Sequence, residues 1–566
     1  MINVWLSFFV ILLPASAFAD SPVHHHGDDS IAIDGNFSVE SAASNDYYAK
    51  VSASTRRQDA QEDESELVEQ IQQLSESVVS IAFDRANERF DSTGVVISPN
   101  GWVLSHGHHN RGVLEKGESQ ANAPSIVEVL LNSNRRVQAR IVMVVGTGNV
   151  EYSLLRIEGV KELPFSPVAS AQPKPGESCL MLGHPHGYVS GRPPVARRGK
   201  IAYAGKGALV SNCLVSAGDS GSPLFNDQGE VIGILTSQVR LLAKFTNAVS
   251  AISNRNTLQL LQNAEQLSEV SSEFATPLFA HELAEKTKSS VVKVLCGSRL
   301  VALGTVLDPN GYLVTKASQL DRSPKCVFPG GETVDARIVR QFDQYDMAIL
   351  KVEMENPLSV IPFSNRELER GIFLTSVGWN GDAIATSIIS DARKFNVPPE
   401  RSMPNVARVE TSDDGLIKVM EITEGETQFQ VGDFIKSIDG NRFTDIQQYG
   451  VWWYNDSPPA GSFVEYLVIR DKQEIKLIER CRPATLHESH SLQQQGIVSL
   501  RRTGFQDAFA HDAPLRASQC GGPIVDLSGK LVGINIARSN RHESVAIPAD
   551  ICHRVVSETL GDLNAK

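Results

Sequence analysis

The pattern of apolar and polar residues along the chain occurs twice. A helix-like stretch runs into a strand-like one in LVEQIQQLSESVVSIAF (67–83), and FAHELAEKTKSSVVKVLCG (279–297) has the same form. Each is followed by two apolar runs around Pro-Asn-Gly: STGVVISPNGWVLS (92–105) and ALGTVLDPNGYLVT (302–315). Because Asn-Gly between apolar runs is a strong hairpin signal, each pair predicts strand–turn–strand.

Two further blocks follow in the same order in both halves of the chain. VEYSLLRIEG (150–159) corresponds to YDMAILKVEM (345–354), and SGSPLFNDQGEVIGIL (220–235) corresponds to CGGPIVDLSGKLVGIN (520–535). Matching blocks in one order indicate a duplicated domain. The two halves are called here the first and the second copy.

The second copy contains an insert. From Glu151 to Ser220 there are 69 residues, whereas from Asp346 to the corresponding Cys520 there are 174. The additional residues, 395–489, contain alternating apolar runs with Val-Gly-Asp and Ile-Asp-Gly turns. This arrangement resembles a PDZ domain, in which GLIKV (415–419) is the best candidate for the carboxylate-binding loop.

The N-terminal residues predict export. Val4 to Leu13 are almost wholly apolar, and Ala17-Phe18-Ala19 is a small-x-small site. Residues 1–19 therefore predict a cleaved signal peptide, with an uncleaved anchor as the alternative. Residues 20–64 are polar and predict a disordered linker. No later segment is long and apolar enough to span a membrane, so we expect a periplasmic or secreted protein without a membrane span after cleavage.

Composition narrows the range of partners. The chain of 566 residues has a formal net charge of −13, which disfavours nucleic acid as a partner. None of its seven cysteines forms a CxxC pair, so a zinc or thioredoxin-like site has no support. The sequence implies no metal and no cofactor.

Ser220 is the candidate nucleophile. It lies in Ala-Gly-Asp-Ser-Gly-Ser-Pro (217–223), directly before an apolar strand. Glycines on both sides allow a tight turn that presents the hydroxyl. The same turn can direct the backbone amides of Gly218 and Ser220 at one point, as an oxyanion hole requires.

A base and an orienting acid are needed beside the serine. His108 in WVLSHGHHN is the candidate base, and we interpret His106 and His109 as loop histidines. Glu151, which opens the strand EYSLL, is the candidate acid. Its carboxylate can fix the imidazole tautomer, but its side chain is one methylene longer than the aspartate of a Ser-His-Asp triad.

On these motifs, residues 66–265 resemble the protease domain of the HtrA/Deg family, and GHPHG (183–187) matches the loop after a barrel strand. The resemblance implies an all-β, trypsin-like double barrel. It also implies endoproteolysis of proteins or peptides through an acyl-enzyme on Ser220, and possible assembly into homo-oligomers.

The second copy, at 276–394 and 490–566, has the same order of predicted strands but different residues at the catalytic positions. Ser318 replaces the base, Asp346 is retained, and Cys520 replaces the nucleophile. Without a histidine or an obvious cation nearby, we expect a thiol of ordinary pKa and a degenerate domain rather than a cysteine protease. If Glu151 cannot orient the base, the whole chain would be a binding or chaperone-like protein, or an assembly module.

Cys179 and Cys213 are expected to form a disulfide. Both lie on predicted strands that lead to the active-site loops, one before GHPHG and one before AGDSG. Such a bond would brace those loops in an oxidising compartment.

Overall fold

The structure is a computed structural model. It describes residues 53–564 except 85–88, 108–125, 147–150, 206–207, 217, 238–246, 250–276, 321–322, 396–399, 401, 423–426 and 484–497. The predicted signal peptide and most of the predicted linker therefore lie outside the described residues. The first copy, the second copy and the insert all belong to one compact unit, which begins at Ala53.

The first copy contains two closed six-stranded barrels. Strands of the first barrel are β1 (Val78–Asp84), β2 (Arg89–Val96), β3 (Trp102–His106), β4 (Ile126–Leu130), β5 (Arg136–Gly146) and β6 (Glu151–Ile157). Strands of the second are β7 (Ser178–Gly183), β8 (Val195–Gly205), β9 (Ala208–Ser211), β10 (Pro223–Phe225), β11 (Val231–Ser237) and β12 (Asn247–Val249). The Pro-Asn-Gly turn joins β2 to β3, with the Gly101 amide donating to the Ser98 carbonyl at 3.0 Å.

The second copy repeats this arrangement. Its first barrel comprises β13 (Val291–Cys296), β14 (Arg299–Asp308), β15 (Tyr312–Lys316), β16 (Pro324–Val327), β17 (Thr333–Phe342) and β18 (Met347–Val352). Its second barrel comprises β19 (Phe373–Val377), β20 (Ala383–Phe395), β28 (Ala508–His511), β29 (Pro523–Val525), β30 (Leu531–Asn540) and β31 (Glu543–Pro548).

All four barrels have the same strand order. In the first barrel the order is β1-β2-β3-β6-β5-β4, and the other three follow it strand for strand. Neighbouring strands are antiparallel, and β3 pairs with β6 through Ser105 opposite Ser153. The expected all-β class with two trypsin-like double barrels in tandem is confirmed.

The insert forms a sheet of its own between β20 and β28. Its strands are β21 (Ser402–Met403), β22 (Val406–Thr411), β23 (Ile417–Ile422), β24 (Phe434–Ile438), β25 (Phe463–Arg470), β26 (Gln473–Arg480) and β27 (Arg482–Pro483). Five of them, β22 to β26, form one sheet in sequence order, and β21 pairs with β27 where the chain enters and leaves. One helix (Ile446–Asn455) buries Tyr449 and Trp453 in the core of this sheet.

A long N-terminal helix, α1 (Ala53–Ser75), joins the two copies. Leu67, Ile71 and Leu74 share one face because they are four and three residues apart. They pack in one apolar cluster with Phe225 of the first copy and Phe373 of the second. The two copies therefore share a continuous core.

This helix corrects the linker expected over 20–64. Residues 53–64 are helical, because the chain buries Ala60 and Glu64 against the second copy. One oxygen of the Glu64 carboxylate accepts from the Phe373 amide at 2.6 Å, and the other pairs with Arg366. The polar composition of residues 53–64 predicted disorder, because the residues that this part of the helix contacts lie far along the chain, in the second copy.

The described residues contain three shorter α-helices, which are α2 (Leu278–Thr287), the insert helix α3 (Ile446–Asn455) and α4 (Ala549–Asn564). They also contain four 3₁₀ helices of one turn, at Lys288–Ser290, Ala317–Gln319, Asp343–Tyr345 and Ala517–Gln519. Helices α2 and α4 pack on the core of the second copy through Leu283, Ala284, Ile551 and Val555. In the part of the chain that the structure describes, no helix is long and apolar enough to cross a membrane.

Candidate active site

Ser220 lies on a tight turn between the two barrels of the first copy. Its carbonyl accepts from the Thr93 amide in β2 at 2.9 Å, and the next amide, of Gly221, donates to Leu235 in β11 at 2.8 Å. Gly221 has a φ of 86°, and a Cβ there would lie 2.0 Å from the Thr93 carbonyl oxygen. Only glycine can follow the serine, so the turn holds Ser220 half-buried at the barrel junction.

Gly218 forms the other side of the turn. It has a φ of 90°, and a Cβ there would lie 2.4 Å from the Gly187 amide nitrogen. Thr93 Oγ1 donates to the Gly218 carbonyl and accepts from the His184 amide, both at 3.1 Å. The turn is therefore fastened to the loop at 183–187, whose sequence resembles that of the family.

Asp219 makes a buried ion pair that sequence reasoning missed. Its carboxylate accepts from both terminal nitrogens of Arg197, at 2.6 and 2.9 Å, and neither side chain is exposed. The Ser216 amide also donates to Asp219, at 2.9 Å. A planar, bidentate pair fixes orientation as well as distance, so the residue before Ser220 is rigidly anchored.

A weak sequence signal pointed to this pair. Arg197 lies on β8 directly after the buried residues Val195 and Ala196, in VARRGK. An arginine in a buried strand requires an acidic partner, because an unpaired charge is too costly to bury. The sequence did not identify that partner, since 22 residues separate the two side chains.

His108 lies outside the described residues, and the side chain of Glu151 is not described either. The backbone still places their neighbourhood. Strand β3 ends at His106, which pairs with Tyr152 in β6. Glu151, the first residue of β6, is thus one position beyond this pair, on the side where the chain continues from His106 toward His108.

His106 is not the loop histidine that we expected. It is the last residue of β3 and is fully buried, and its carbonyl accepts from Ser153 Oγ at 2.8 Å. A Cβ on Gly221 would lie 3.1 Å from the His106 amide nitrogen, so the end of β3 adjoins the nucleophile turn. His109, the other alternative, lies outside the described residues.

The two histidines of the 183–187 loop differ in exposure. His184 is buried, and burial, reinforced by Arg192 and Arg197, lowers its pKa to about 3. His186 is exposed. Arg192 donates to the carbonyls of Pro185 and Gly187, each at 2.7 Å, and so holds the loop in place. Among the described residues, no group of three His, Cys, Asp or Glu could hold a metal ion.

The Sγ atoms of Cys179 and Cys213 lie 3.9 Å apart, and both side chains are buried. This is close contact rather than a bond, which would be about 2.05 Å long. Burial, with the neighbouring Cys213 second, raises the pKa of Cys179 well above its ordinary value. The disulfide stays a prediction, with its two partners side by side.

In the second copy, a cation that we did not expect occupies the site. Asp346 accepts from Lys316 Nζ at 2.5 Å and from Ser318 Oγ at 2.8 Å. Lys316 Nζ also donates to the carbonyls of Arg501 and Ile536, at 3.0 and 2.7 Å. Lys316 corresponds to His106, and its side chain is only 1% exposed. The carboxylate that would orient a base instead neutralises a buried lysine.

Cys520 is sealed from solvent. It is fully buried, and its Sγ lies 3.8 Å from Ser499 Oγ. Burial raises its pKa, although Lys316 and Ser499 act in the opposite direction. The ordinary pKa that we expected is therefore wrong, because the thiol lies inside the core. The thiolate that nucleophilic attack requires is disfavoured.

Comparison with known proteins agrees with this geometry. Residues 92–234 match the family described as "Trypsin-like peptidase domain". A relative from Marinomonas sp. (strain MWYL1), named "Probable periplasmic serine endoprotease DegP-like", is 23% identical over 406 residues, which cover 67% of this chain and 76% of the relative. A relative of the same name from Pseudomonas putida (strain GB-1) is 30% identical over 152 residues, or 25% of this chain and 28% of the relative.

A crystal structure of the serine endoprotease from Yersinia pestis covers 73% of this chain and 97% of its own, at 15% identity and a TM-score of 0.26. A TM-score this low supports no conclusion beyond the sequence similarity. The family match spans Ser220 and its turn, and the match to the Marinomonas relative extends over two thirds of the chain. The chain is a trypsin-fold relative of the HtrA/Deg proteases, with a trypsin-like peptidase domain in its first copy.

Proposed function

We propose that this chain is an exported serine endopeptidase that cleaves protein substrates through an acyl-enzyme on Ser220. The observation that carries the proposal is the turn at 218–221. It presents a half-buried serine at a barrel junction, between two positive-φ glycines and beside a buried Arg197–Asp219 pair. Relatives named periplasmic serine endoproteases support both the activity and the compartment.

In the proposed reaction, Ser220 Oγ attacks the scissile carbonyl carbon while His108 takes the hydroxyl proton. The backbone amides of Gly218 and Ser220 stabilise the oxyanion of the tetrahedral intermediate. His108 then gives its proton to the leaving amine as the C–N bond breaks. Water, activated by the same base, hydrolyses the ester, and Glu151 holds the imidazole tautomer throughout.

The rest of the chain has supporting roles in this proposal. The second copy is a non-catalytic domain, since Lys316 neutralises Asp346 and Cys520 is sealed. The insert is PDZ-like, and assembly into homo-oligomers follows from the family alone. No metal or cofactor takes part.

Labelling with a fluorophosphonate tests the proposal, because the probe reacts only with an activated serine. We expect the protein to be labelled once, at Ser220 by peptide mass spectrometry. Ser220→Ala should abolish labelling, and Cys520→Ala is the matched control that should label at the parental rate. If the folded parent is not labelled and does not cleave casein, the enzyme proposal fails and the chaperone-like alternative takes its place.

A further inference from the structure

A hairpin of the second copy reaches the nucleophile turn of the first. Strands β30 and β31 are joined by Arg541 and His542, and His542 is only 1% exposed. Its Nδ1 lies 2.6 Å from Ser216 Oγ. A buried side chain from one copy is thus hydrogen-bonded to the loop that carries the nucleophile of the other.

Ser216 is the residue through which this contact can act on the turn. Its amide donates to the Asp219 carboxylate at 2.9 Å, and its carbonyl accepts from the Asp219 amide at 3.2 Å. Asp219 directly precedes Ser220. A shift of Ser216 would therefore move the residue that sets the position of the nucleophile.

His542 also contacts the opposite wall of the turn. Its ring lies 5.5 Å from the ring of His186, measured between centroids. His186 belongs to the loop at 183–187, which packs so closely against Gly218 that a Cβ on this glycine would not fit. One side chain of the second copy therefore touches both supports of the 218–221 turn.

The protonation of His542 suits this role. Burial, followed by the neighbouring His186 and arginines, lowers the pKa of His542 well below its ordinary value, so the ring is neutral. A neutral imidazole has one donor and one acceptor nitrogen. The hydrogen bond between Nδ1 and Ser216 Oγ forms with either tautomer, because the hydroxyl can donate or accept.

The hairpin itself is firmly held. The Arg538 amide donates to Ser499 Oγ at 3.0 Å, and its guanidinium donates to the Ala513 carbonyl at 2.5 Å. Across the hairpin, Ser539 Oγ donates to Glu543 at 2.6 Å. These bonds make the hairpin a fixed support rather than a loop that follows the turn.

We propose that His542 is a positioning residue for the nucleophile turn of the first copy, so that proteolysis requires the second copy although that copy performs no chemistry. The inference rests on the proposed peptidase function. It gives the degenerate copy a specific role, which is to support the turn through Ser216 and the 183–187 loop.

Kinetics of the full-length protein test this role. His542→Ala should lower kcat and the rate of fluorophosphonate labelling by about 10²-fold, since a displacement of about 1 Å can cost that much. KM should change by no more than about twofold. His542→Asn should recover most of the rate, because its amide can bond Ser216 from the position of Nδ1. His553→Ala, on the exposed side of α4, is the matched control and should behave like the parent.

The partner variant sharpens the test. Ser216→Ala should reproduce most of the loss seen with His542→Ala, because it removes the hydrogen bond and leaves the His186 contact, and the double variant should be no slower than His542→Ala. If His542→Ala labels at the parental rate while the parent is active, the positioning role is wrong and the proposed function stands.

A second measurement does not depend on activity. In the Ser220→Ala protein, hydrogen exchange of the segment 212–222 should become at least about tenfold faster when His542→Ala is added, since a lost support lowers the free energy of local opening. An unchanged exchange rate would overturn the inference even if the chain proves to be no protease. An inactive parent with ordinary folding would instead refute the proposed function.

Discussion

The turns at Ser220 and Cys520 share their backbone only from these two residues onward. A strand amide of the neighbouring barrel donates to the carbonyl of Ser220 at 2.9 Å, and its counterpart donates to that of Cys520 at 2.8 Å. The glycines that follow have φ values of 86° and 87°, and a Cβ on either would lie 2.0 Å from a carbonyl oxygen. Two residues before Ser220, Gly218 has a φ of 90°, whereas the corresponding Ser518 lies in a 3₁₀ turn (Ala517–Gln519). Main-chain packing between barrels therefore preserves the second half of the turn, and the first half differs.

The buried ion pairs of the two copies lie at different positions in the fold. In the first copy the ion pair Arg197–Asp219 lies behind the nucleophile. In the second copy the pair is Lys316–Asp346, which occupies the position of the orienting acid itself. Gln519 replaces Asp219 there, and its side chain accepts from the Arg516 amide at 2.8 Å.

The comparison shows how each copy satisfies its buried carboxylate. A buried carboxylate requires a cation or several donors. In the second copy that cation is Lys316, and it pairs with Asp346, the residue that corresponds to Glu151. In the first copy the buried cation is Arg197, and it pairs with Asp219 instead.

The largest expected effect concerns the two nucleophile positions. Ser220→Ala should reduce casein hydrolysis by about 10⁶-fold, the typical cost of losing a triad serine. Cys520→Ala should leave the rate unchanged, because the thiol is buried and protonated. A tenfold loss in the Cys520 variant, with Ser220 intact, would show that the second site takes part in the chemistry.

Glu151 comes next. Glu151→Gln keeps the size of the side chain but removes the charge that orients the base, and we expect a loss of roughly 10⁴-fold in kcat. Glu151→Asp should be tolerated or faster, since aspartate is the family's residue. Steady-state kinetics on a peptide substrate measure both. Parental activity in Glu151→Gln, beside a dead Ser220→Ala, would assign the orienting role to another acid.

The two buried ion pairs should differ in their effect on activity. Arg197→Met leaves the buried Asp219 carboxylate without its cation, which costs about 3–5 kcal/mol of unfolding free energy, and Lys316→Met should cost less, because Arg501 Nη1 remains 3.5 Å from Asp346. Only Arg197→Met should also lower the labelling rate of Ser220, by about 10²-fold, because Asp219 then loses its anchor. Urea denaturation and labelling at a temperature where both variants are folded separate the effects. Equal loss of labelling in both would contradict the comparison.

The junction between the copies should respond to pH. Burial raises the pKa of Asp512 from 3.8 to about 6, although its carboxylate accepts from the amides of Arg198 and Ile388. Between these values the folded protein binds a proton that the unfolded chain releases. Asp512 therefore stabilises the fold at low pH, and that contribution, about 1–3 kcal/mol, is lost as pH rises through 6.

Asp512→Asn removes this titration. The unfolding free energy of the variant, measured in urea from pH 4 to 7, should fall less steeply with pH than that of the parent. Parallel curves for the two proteins would mean that Asp512 is charged in the fold throughout this range.

The smallest expected effect on activity concerns the two adjacent thiols. Oxidation of Cys179 and Cys213 to a disulfide would stabilise the first copy by about 2–4 kcal/mol, with little change in kcat. Peptide mapping of the exported protein without reducing agent should find the linked pair. Two free thiols in the exported protein would refute the bond, and the Cys179→Ala protein would then match the parent in its response to reductant.

Much of the architecture could be predicted from the sequence. The Pro-Asn-Gly turns, the repeated order of apolar blocks and the spacing from Asp346 to Cys520 predicted a duplicated domain with an insert, and the resemblance to the HtrA/Deg proteases implied the barrels. These features are local or periodic, so they are legible along the chain. The helix over 53–64 was missed because its polar composition conceals the burial of Ala60 and Glu64, whose partners lie in the second copy.

For the site, the sequence by itself determined the candidates: Ser220 between two glycines, a histidine after β3, and the replacement of both in the second copy. Only the tertiary structure decided which polar side chains pair. Arg197 pairs with Asp219, and Lys316 pairs with Asp346, which is 30 residues away in the sequence. His542 is hydrogen-bonded to Ser216, which is 326 residues away. Such pairs follow from strand register and from the packing of one barrel on another, and these long-range contacts leave no period in the sequence.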